Sequence, residues 1–208
     1  MSTTSDTRTL LIDVAERLFA ERGLAAVSLR TVGSQAGQRN NSAAQYHFGS
    51  REGLVEAIIE VRSAPVERRR AALVARLEAA SEAGTGGPTV ADLLEALLRP
   101  LAETIDGGER THYLRFLVQV MADPGVRESW AAPGPSTRWV HRQLRRLVPE
   151  VSGPDFRRRL EWATLTALQV LADHELRRGS TPGWPTTDQV VRELVAMQAT
   201  LLGCPAAA

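Results

Sequence analysis

Apolar side chains in this chain return every three or four residues rather than every second one. Leu11, Val14, Ala15, Leu18 and Phe19 form one such stripe, and Leu54, Val55, Ile58 and Ile59 form another. Val90, Leu93, Leu94, Leu97, Leu98 and Leu101 form a third. The i, i+3, i+4 spacing gathers side chains on one face of an α-helix, whereas a half-buried strand requires alternation with a period of two. No stretch carries a convincing strand pattern. The fold class expected is therefore all-α.

Punctuation along the chain divides it into helices. Gly23 is placed to stop the first helix, and Ser28 to cap a short second one carrying Leu29, Val32 and Ala36. Gly37 ends that helix, and a third short segment runs from about Asn40 to His47. Ser50 caps a fourth helix. Pro65 falls inside its apolar run, and because proline has no N–H to donate, a kink or split near Val61 is expected. The run AGTGGP at 83–88 reads as a loop, and Thr89 with Asp92 three residues on is a variant capping box. Further helices are expected from about Glu109 to Ala122, Thr137 to Val148, Pro154 to Arg178 and Thr187 to Leu202.

Composition removes several chemistries. All 25 basic residues are arginine, which excludes a Walker-type phosphate lysine, a Schiff-base lysine and a Ser–Lys dyad. The glycine-rich AGTGGP run follows no strand and precedes no lysine, so it is not a phosphate loop. His47, His112, His141 and His174 are far apart, and neighbouring positions in Asp173-His174-Glu175 point in different directions on a helix. No HExxH, CxxC or nucleophile elbow occurs. No enzymatic activity, catalytic residue, metal or cofactor is expected. With 208 residues, 43% of them hydrophobic, the chain is one large domain or two small ones. No apolar run approaches the roughly 20 residues that span a bilayer. The N-terminus lacks an apolar leader, and Cys204 has no partner for an intrachain disulfide. A cytoplasmic location without membrane association is the expectation.

The net charge of +1 conceals a local asymmetry. Between Glu21 and Glu52 there is no acid, while Arg22, Arg30, Arg39 and Arg51 are present. In the same stretch lies AGQRNNSAAQYHFGS, a block of uncharged hydrogen-bonding side chains. It reads either as a polar loop with capping asparagines or as the turn and reading helix of a helix-turn-helix. Gln and Asn pair with adenine edges and Arg with guanine, while acids there would repel phosphates. Two short helices joined by a glycine turn, the second one polar, favour the second reading.

The pattern LLIDVAERLFAERGLAAVSLRTVGSQAG from Leu10 to Gly37, followed by YHFGSREGLVEAI from Tyr46 to Ile58, resembles the DNA-binding domain of the tetracycline-repressor (TetR) family of bacterial regulators. The resemblance implies an N-terminal three-helix domain over 1–50. It implies a C-terminal helical bundle over 51–208 for ligand binding and dimerisation, with the fourth helix as connector. It implies a sequence-specific regulator, a repressor released from a palindromic double-stranded operator by a small molecule. Base contacts fall to Arg39, Asn40, Asn41 and Gln45. Phosphate contacts fall to Ser28, Thr31, Tyr46, His47 and Arg51, with Arg8 as an addition. A homodimer would form through 154–178 and 187–202, whose helices carry more than one apolar face. His112, Tyr113, Phe116, Trp130, Trp139 and Trp162 are candidates for a ligand pocket. Two departures from the family stand out. Gln38 follows the Ala-Gly of the turn where an aliphatic residue is usual, and about one extra residue lies between Gly37 and Tyr46. Which of Gln38, Arg39, Asn40 and Asn41 reaches bases is therefore open. An alternative from another class is a helical carrier or enzyme, which would need a convergent polar site in the C-terminal half.

Overall fold

A computed structural model of the chain describes residues 3–38, 42–84, 86–107, 111–126 and 133–204. The described residues are helical with connecting turns, and the chain divides into two compact units: residues 1–64 with 111–131, and residues 65–110 with 132–208.

The first unit contains α1 (Thr3–Arg22), α2 (Leu29–Gln35), α3 (Ala43–Phe48), the first half of α4 (Arg51–Glu82) and α6 (Tyr113–Ala122). The stripe read from the sequence is the core: Leu11, Ala15, Leu18 and Phe19 are fully buried, as are Leu54 and Ile58 of α4. Burying one Leu or Phe side chain contributes about 1.5–3 kcal/mol. α1 packs along α6, where the rings of Phe19 and Phe116 lie 6.1 Å apart. Gly23, at φ +82°, closes α1 with its N–H on the Phe19 carbonyl at 2.9 Å.

The second unit contains the rest of α4, α5 (Val90–Asp106), α7 (Pro135–Leu147), α8 (Gly153–Arg177) and α9 (Thr187–Gly203). Its core gathers Val74 of α4, Leu93, Leu94 and Ala96 of α5, Val140 and Leu144 of α7, Phe156 of α8 and Leu202 of α9. Helix starts are capped as the residue types dictate. The Thr89 hydroxyl accepts the Asp92 N–H while Asp92 accepts the Thr89 N–H, and Thr186 and Gln189 repeat that box at α9. Ser152 caps α8 through the Asp155 N–H. Glu67 on α4 accepts the Ser136 N–H at 3.1 Å in the first turn of α7. Arg69 makes a two-pronged pair with Glu103, at 2.8 and 3.0 Å, joining α4 to α5.

Two expectations are corrected. Pro65 does not split its helix, and α4 runs unbroken from Arg51 to Glu82. Pro65 and Val61, four residues earlier, are both exposed. The missing bond thus lies on the solvent side of the helix, where a lost backbone hydrogen bond costs least. The sixth helix starts at Tyr113 rather than Glu109, with His112 as its cap residue.

Candidate nucleic-acid interface

The reader is built from α2, a glycine turn and α3. Ser28 is extended (φ −98°, ψ 157°), and its hydroxyl accepts the Thr31 N–H at 3.1 Å, which starts α2. Val32 and Gly33 are buried against the unit's core. The end of α2 is a Schellman motif. Gly37, at φ +68°, donates to the Ser34 carbonyl at 3.1 Å, and Gln38 donates to the Gly33 carbonyl at 3.0 Å. The residue after the glycine in this motif usually makes an apolar contact with the helix. That is where the family's aliphatic residue would stand, and Gln38 instead directs its amide back to the Ala36 carbonyl at 3.5 Å.

α3 spans six residues. Ala44 is fully buried and supplies the packing face, while Gln45 and Tyr46 face solvent, Tyr46 at 82% exposure. A hydroxyl-bearing ring left this far out of the core is available to a partner. The Tyr46 and His47 rings meet edge-on at 5.4 Å. The Gln45 amide donates to the Gly49 carbonyl, so in the unbound chain it closes the turn after α3. Gly49 (φ +72°) leads into α4, where the Ser50 hydroxyl accepts the Gly53 N–H at 3.0 Å. Gly53 is required by contact rather than by dihedral angle, because a Cβ there would overlap the Phe48 carbonyl oxygen.

The proposed phosphate-binding side chains are placed as follows. Ser28 and Thr31 sit together at the start of α2, hydroxyl to hydroxyl at 2.8 Å. Tyr46 and His47 lie on α3, and Arg51 in the first turn of α4. Arg51 donates from Nε and Nη2 to Glu52 Oε1 at 3.1 and 3.0 Å, so a phosphate would compete with that carboxylate. Hydrogen bonding from its own backbone and from Arg51 holds Glu52 below the usual carboxylate range. Arg8 belongs to α1 rather than to a loose tail, with its guanidinium 5.6 Å from the centre of the Phe48 ring. Arg22 and Arg30 are exposed and form no ion pair among the described residues. Arg39, Asn40 and Asn41 lie outside the described residues.

The pocket candidates that the structure describes fall in both compact units. Tyr113 and Phe116 are buried in the first unit's core, where helix packing occupies them, and His112 is half-buried at the start of α6. Burial, then Arg115, holds His112 below the usual imidazole value. Trp139 packs on the second unit's core, and Trp162 is 49% exposed with Arg158 over its ring at 5.3 Å. Trp130 lies outside the described residues. The second unit does contain a cleft of about 430 Å³ that the sequence reading missed, lined by Asp106, His174, Arg178, Trp184 and Thr187 among others. Trp184 Nε1 donates to His174 Nδ1 at 2.9 Å, so the ring proton sits on Nε2 and is donated to the Thr187 hydroxyl at 3.0 Å. That hydroxyl in turn donates to Asp106 Oδ1 at 3.0 Å. The signal in the sequence was Asp173-His174-Glu175: a His on an apolar helix face, looking towards a Trp ten residues on.

A second feature missed from the sequence is Glu16. It stands one helical turn from Ile12 on the buried side of α1 and is 2% exposed. It accepts the Arg62 Nε–H at 2.5 Å and the His112 N–H at 2.9 Å. An acid at a core-facing position of an apolar stripe was the available signal.

A capped short helix, a Schellman turn and a second short helix with a polar exposed face, carried on an all-helical chain, define a helix-turn-helix regulator. Residues 11–58 match the family profile described as "Bacterial regulatory proteins, tetR family", and residues 95–200 match "Tetracyclin repressor-like, C-terminal domain". The chain belongs to the TetR family of DNA-binding transcriptional regulators. It is 44% identical over 55 residues to the HTH-type transcriptional repressor KstR2 of Rhodococcus jostii, an alignment covering 26% of each chain. The matched segment thus spans about a quarter of that relative. Among solved structures, it superimposes on NalD of Pseudomonas aeruginosa, described as the secondary repressor of the MexAB-OprM multidrug efflux pump. That match has a TM-score of 0.55 at 18% identity, covering 94% of this chain and 96% of that one. A chain described as a probable transcriptional regulatory protein, RHA5900, gives a TM-score of 0.55 at 22% identity, covering 96% and 100%. At these identities the likeness is one of fold. No helix among the described residues is long and apolar enough to cross a membrane.

Proposed function

We propose that the protein is a cytoplasmic homodimeric repressor that holds a palindromic operator and releases it when a small molecule binds. The observation that carries this reading is the reader's solvent face: Gln45 and Tyr46 project from a helix whose other side is anchored by buried Ala44, in a stretch with arginines and no acid. Base contacts are assigned to Arg39, Asn40, Asn41 and Gln45, and phosphate contacts to Ser28, Thr31, Tyr46, His47 and Arg51. Residues 1–50 serve as the DNA-binding part and 51–208 as the effector and dimer part, with α4 as the connector. A single reader contacts one half-site, so specific binding calls for two copies whose reading helices sit about 34–36 Å apart. The exposed Trp162 and Val170 on α8 and Met197 on α9 support a dimer through those helices. The effector acts only through its difference in affinity between the two states. The test is fluorescence anisotropy with duplexes from the region upstream of the protein's own gene, at moderate salt. Sequence-preferring binding is expected, and equal affinity for scrambled duplexes would overturn the reading.

A further inference from the structure

The reader is not the only stretch in which arginines stand without acids. From Ser129 to Pro149 the sequence again contains no Asp or Glu, and it carries Arg138, Arg142, Arg145 and Arg146. All four lie on α7, within the second compact unit. At 3.6 residues per turn, Arg138, Arg142 and Arg146 follow one another at steps of about 40° and share one side of the helix. Val140 and Leu144, both fully buried, point to the opposite side and hold α7 on the unit's core. The three arginines are exposed, and they span about 12 Å along the helix axis.

The fold makes little use of these charges. None of the four arginines forms an ion pair among the described residues, whereas Arg17, Arg69, Arg99, Arg158 and Arg177 on other helices each face a carboxylate. Arg138 donates to the Pro133 carbonyl, and Arg146 to Gln143 Oε1 at 3.3 Å. Arg145 is turned onto the Val148 carbonyl and the Phe156 ring. Arg142 makes no hydrogen bond or ion pair among the described residues. Like charges four residues apart destabilise a helix. Arg138 also stands near the end of α7 where the helix dipole disfavours a cation, and no acid occupies that first turn. The stripe is therefore unfavourable for folding on its own, and a polyanion laid along it would relieve the repulsion.

A partner for the stripe must be recognised by charge. The apolar side of α7 is already buried, so the helix has no face left to insert into lipid. One DNA strand places a phosphate roughly every 3.4 Å along the duplex axis, so a stripe of about 12 Å faces three or four of them. Guanidinium groups fork onto phosphate oxygens. The family is one of DNA binders, so duplex DNA is the polyanion this chain meets. We propose that Arg138, Arg142 and Arg146 form a second DNA contact, a sequence-independent grip on the phosphate backbone outside the helix-turn-helix. It goes beyond the repressor reading and does not depend on release by a small molecule.

The test is binding of the full chain to a scrambled duplex, titrated with salt and followed by fluorescence anisotropy. Each phosphate contact contributes about 0.9 to the slope of log affinity against log salt. Combined Arg138→Gln, Arg142→Gln and Arg146→Gln is expected to remove about 2.7 from that slope for each stripe engaged. Affinity then falls about fortyfold less between about 50 and 200 mM salt. Combined Arg138→Lys, Arg142→Lys and Arg146→Lys keeps the charges and is expected to keep the slope. An unchanged slope in the Gln variant overturns the proposal, and loss of binding to polyglutamate or to phosphatidylglycerol vesicles in its place would assign the stripe to an acidic polypeptide or a lipid surface. A wild type with no measurable affinity for the scrambled duplex at low salt overturns it too. A second measurement needs no variant: the scrambled duplex is expected to shield Arg142 from phenylglyoxal, read by mass spectrometry. Equal labelling with and without the duplex overturns the proposal whatever the stability of the variants. Equal affinity of the wild type for all duplexes overturns the repressor reading instead, a result distinct from these.

Discussion

Gly53 shows how little freedom the reader leaves to single residues. Its N–H caps onto the Ser50 hydroxyl at 3.0 Å, and its α-carbon lies against the Phe48 carbonyl. Gly53→Ala must move α3 away from α4, and overpacking of this kind costs about 1–3 kcal/mol. The variant is expected to melt at lower temperature and to bind DNA more weakly, and an unchanged melting curve would show that the junction yields freely. Side chains on the exposed face differ in what they report. Arg51 is a phosphate candidate, so Arg51→Ala is expected to weaken binding to all duplexes alike and to reduce the salt slope by about one. Gln45 is a base candidate, so Gln45→Ala is expected to relax preference at one position, by about 1–3 kcal/mol of discrimination. Its bond to the Gly49 carbonyl must open first, which subtracts from its affinity but not from its selectivity. Competition anisotropy over single-base variants of the duplex separates the two, and a uniform loss for Gln45→Ala would remove it from the base-reading set.

At the scale of elements, helix ends were legible because capping is local. Ser28, Ser50 and Thr89 each sit where a hydroxyl is needed for the N–H three residues on, and Gly23 and Gly37 occur where the chain turns left-handed. What was not legible depended on partners distant in sequence. α1 extends back to Thr3, before its apolar stripe begins, and α6 packs along α1, some ninety residues away in sequence. Helical spacing gives a face but not the neighbour it meets, and Phe116 of α6 met Phe19 of α1. Gln45 and Tyr46 were legible as exposed polar residues, but the hold of Glu52 on Arg51 was not. Pro65 marks the limit of a propensity rule. A helix interior proline is disfavoured by about 3 kcal/mol relative to alanine, partly offset by about 0.4–1 kcal/mol because proline restricts the unfolded chain. Pro65→Ala is therefore expected to raise stability by about 2 kcal/mol by these two estimates, read as a higher urea midpoint. A lower midpoint would mean that the missing hydrogen bond is compensated more fully than solvent exposure of Val61 and Pro65 accounts for.

For the whole molecule, the exposed apolar side chains and the histidines with lowered pKa values make separate demands. Trp162, Val170 and Leu176 stay outside on α8 and Met197 on α9, so Trp162→Glu combined with Val170→Arg is expected to give a monomer in sedimentation and to abolish half-site pairing on DNA. A variant that remains dimeric would move the interface elsewhere. The histidines set the behaviour in acid. His141 is pushed down to about 4 by burial and then by Arg70, and His174 is lowered by burial and, in opposing directions, by its charged neighbours Asp106, Arg178 and Asp173. Protonating His174 would also aim an Nδ1–H at the Trp184 N–H that now donates to it. His112 is lowered as well. The folded state therefore binds fewer protons than the unfolded chain below the ordinary imidazole value of 6.5. Stability rises with pH wherever the unfolded state holds more protons, so the contribution of these residues is complete above about pH 6.5 and is lost as pH falls below it, for His141 down to about 4. For His141 the full loss is about 3 kcal/mol, at 1.36 kcal/mol for each unit of displacement. Urea unfolding at pH 7.5, 6 and 5 is expected to show a falling midpoint, with a shallower fall in His141→Gln. An equal slope in that variant would assign the acid sensitivity to the carboxylates, whose ion pairs are lost only when they protonate at lower pH.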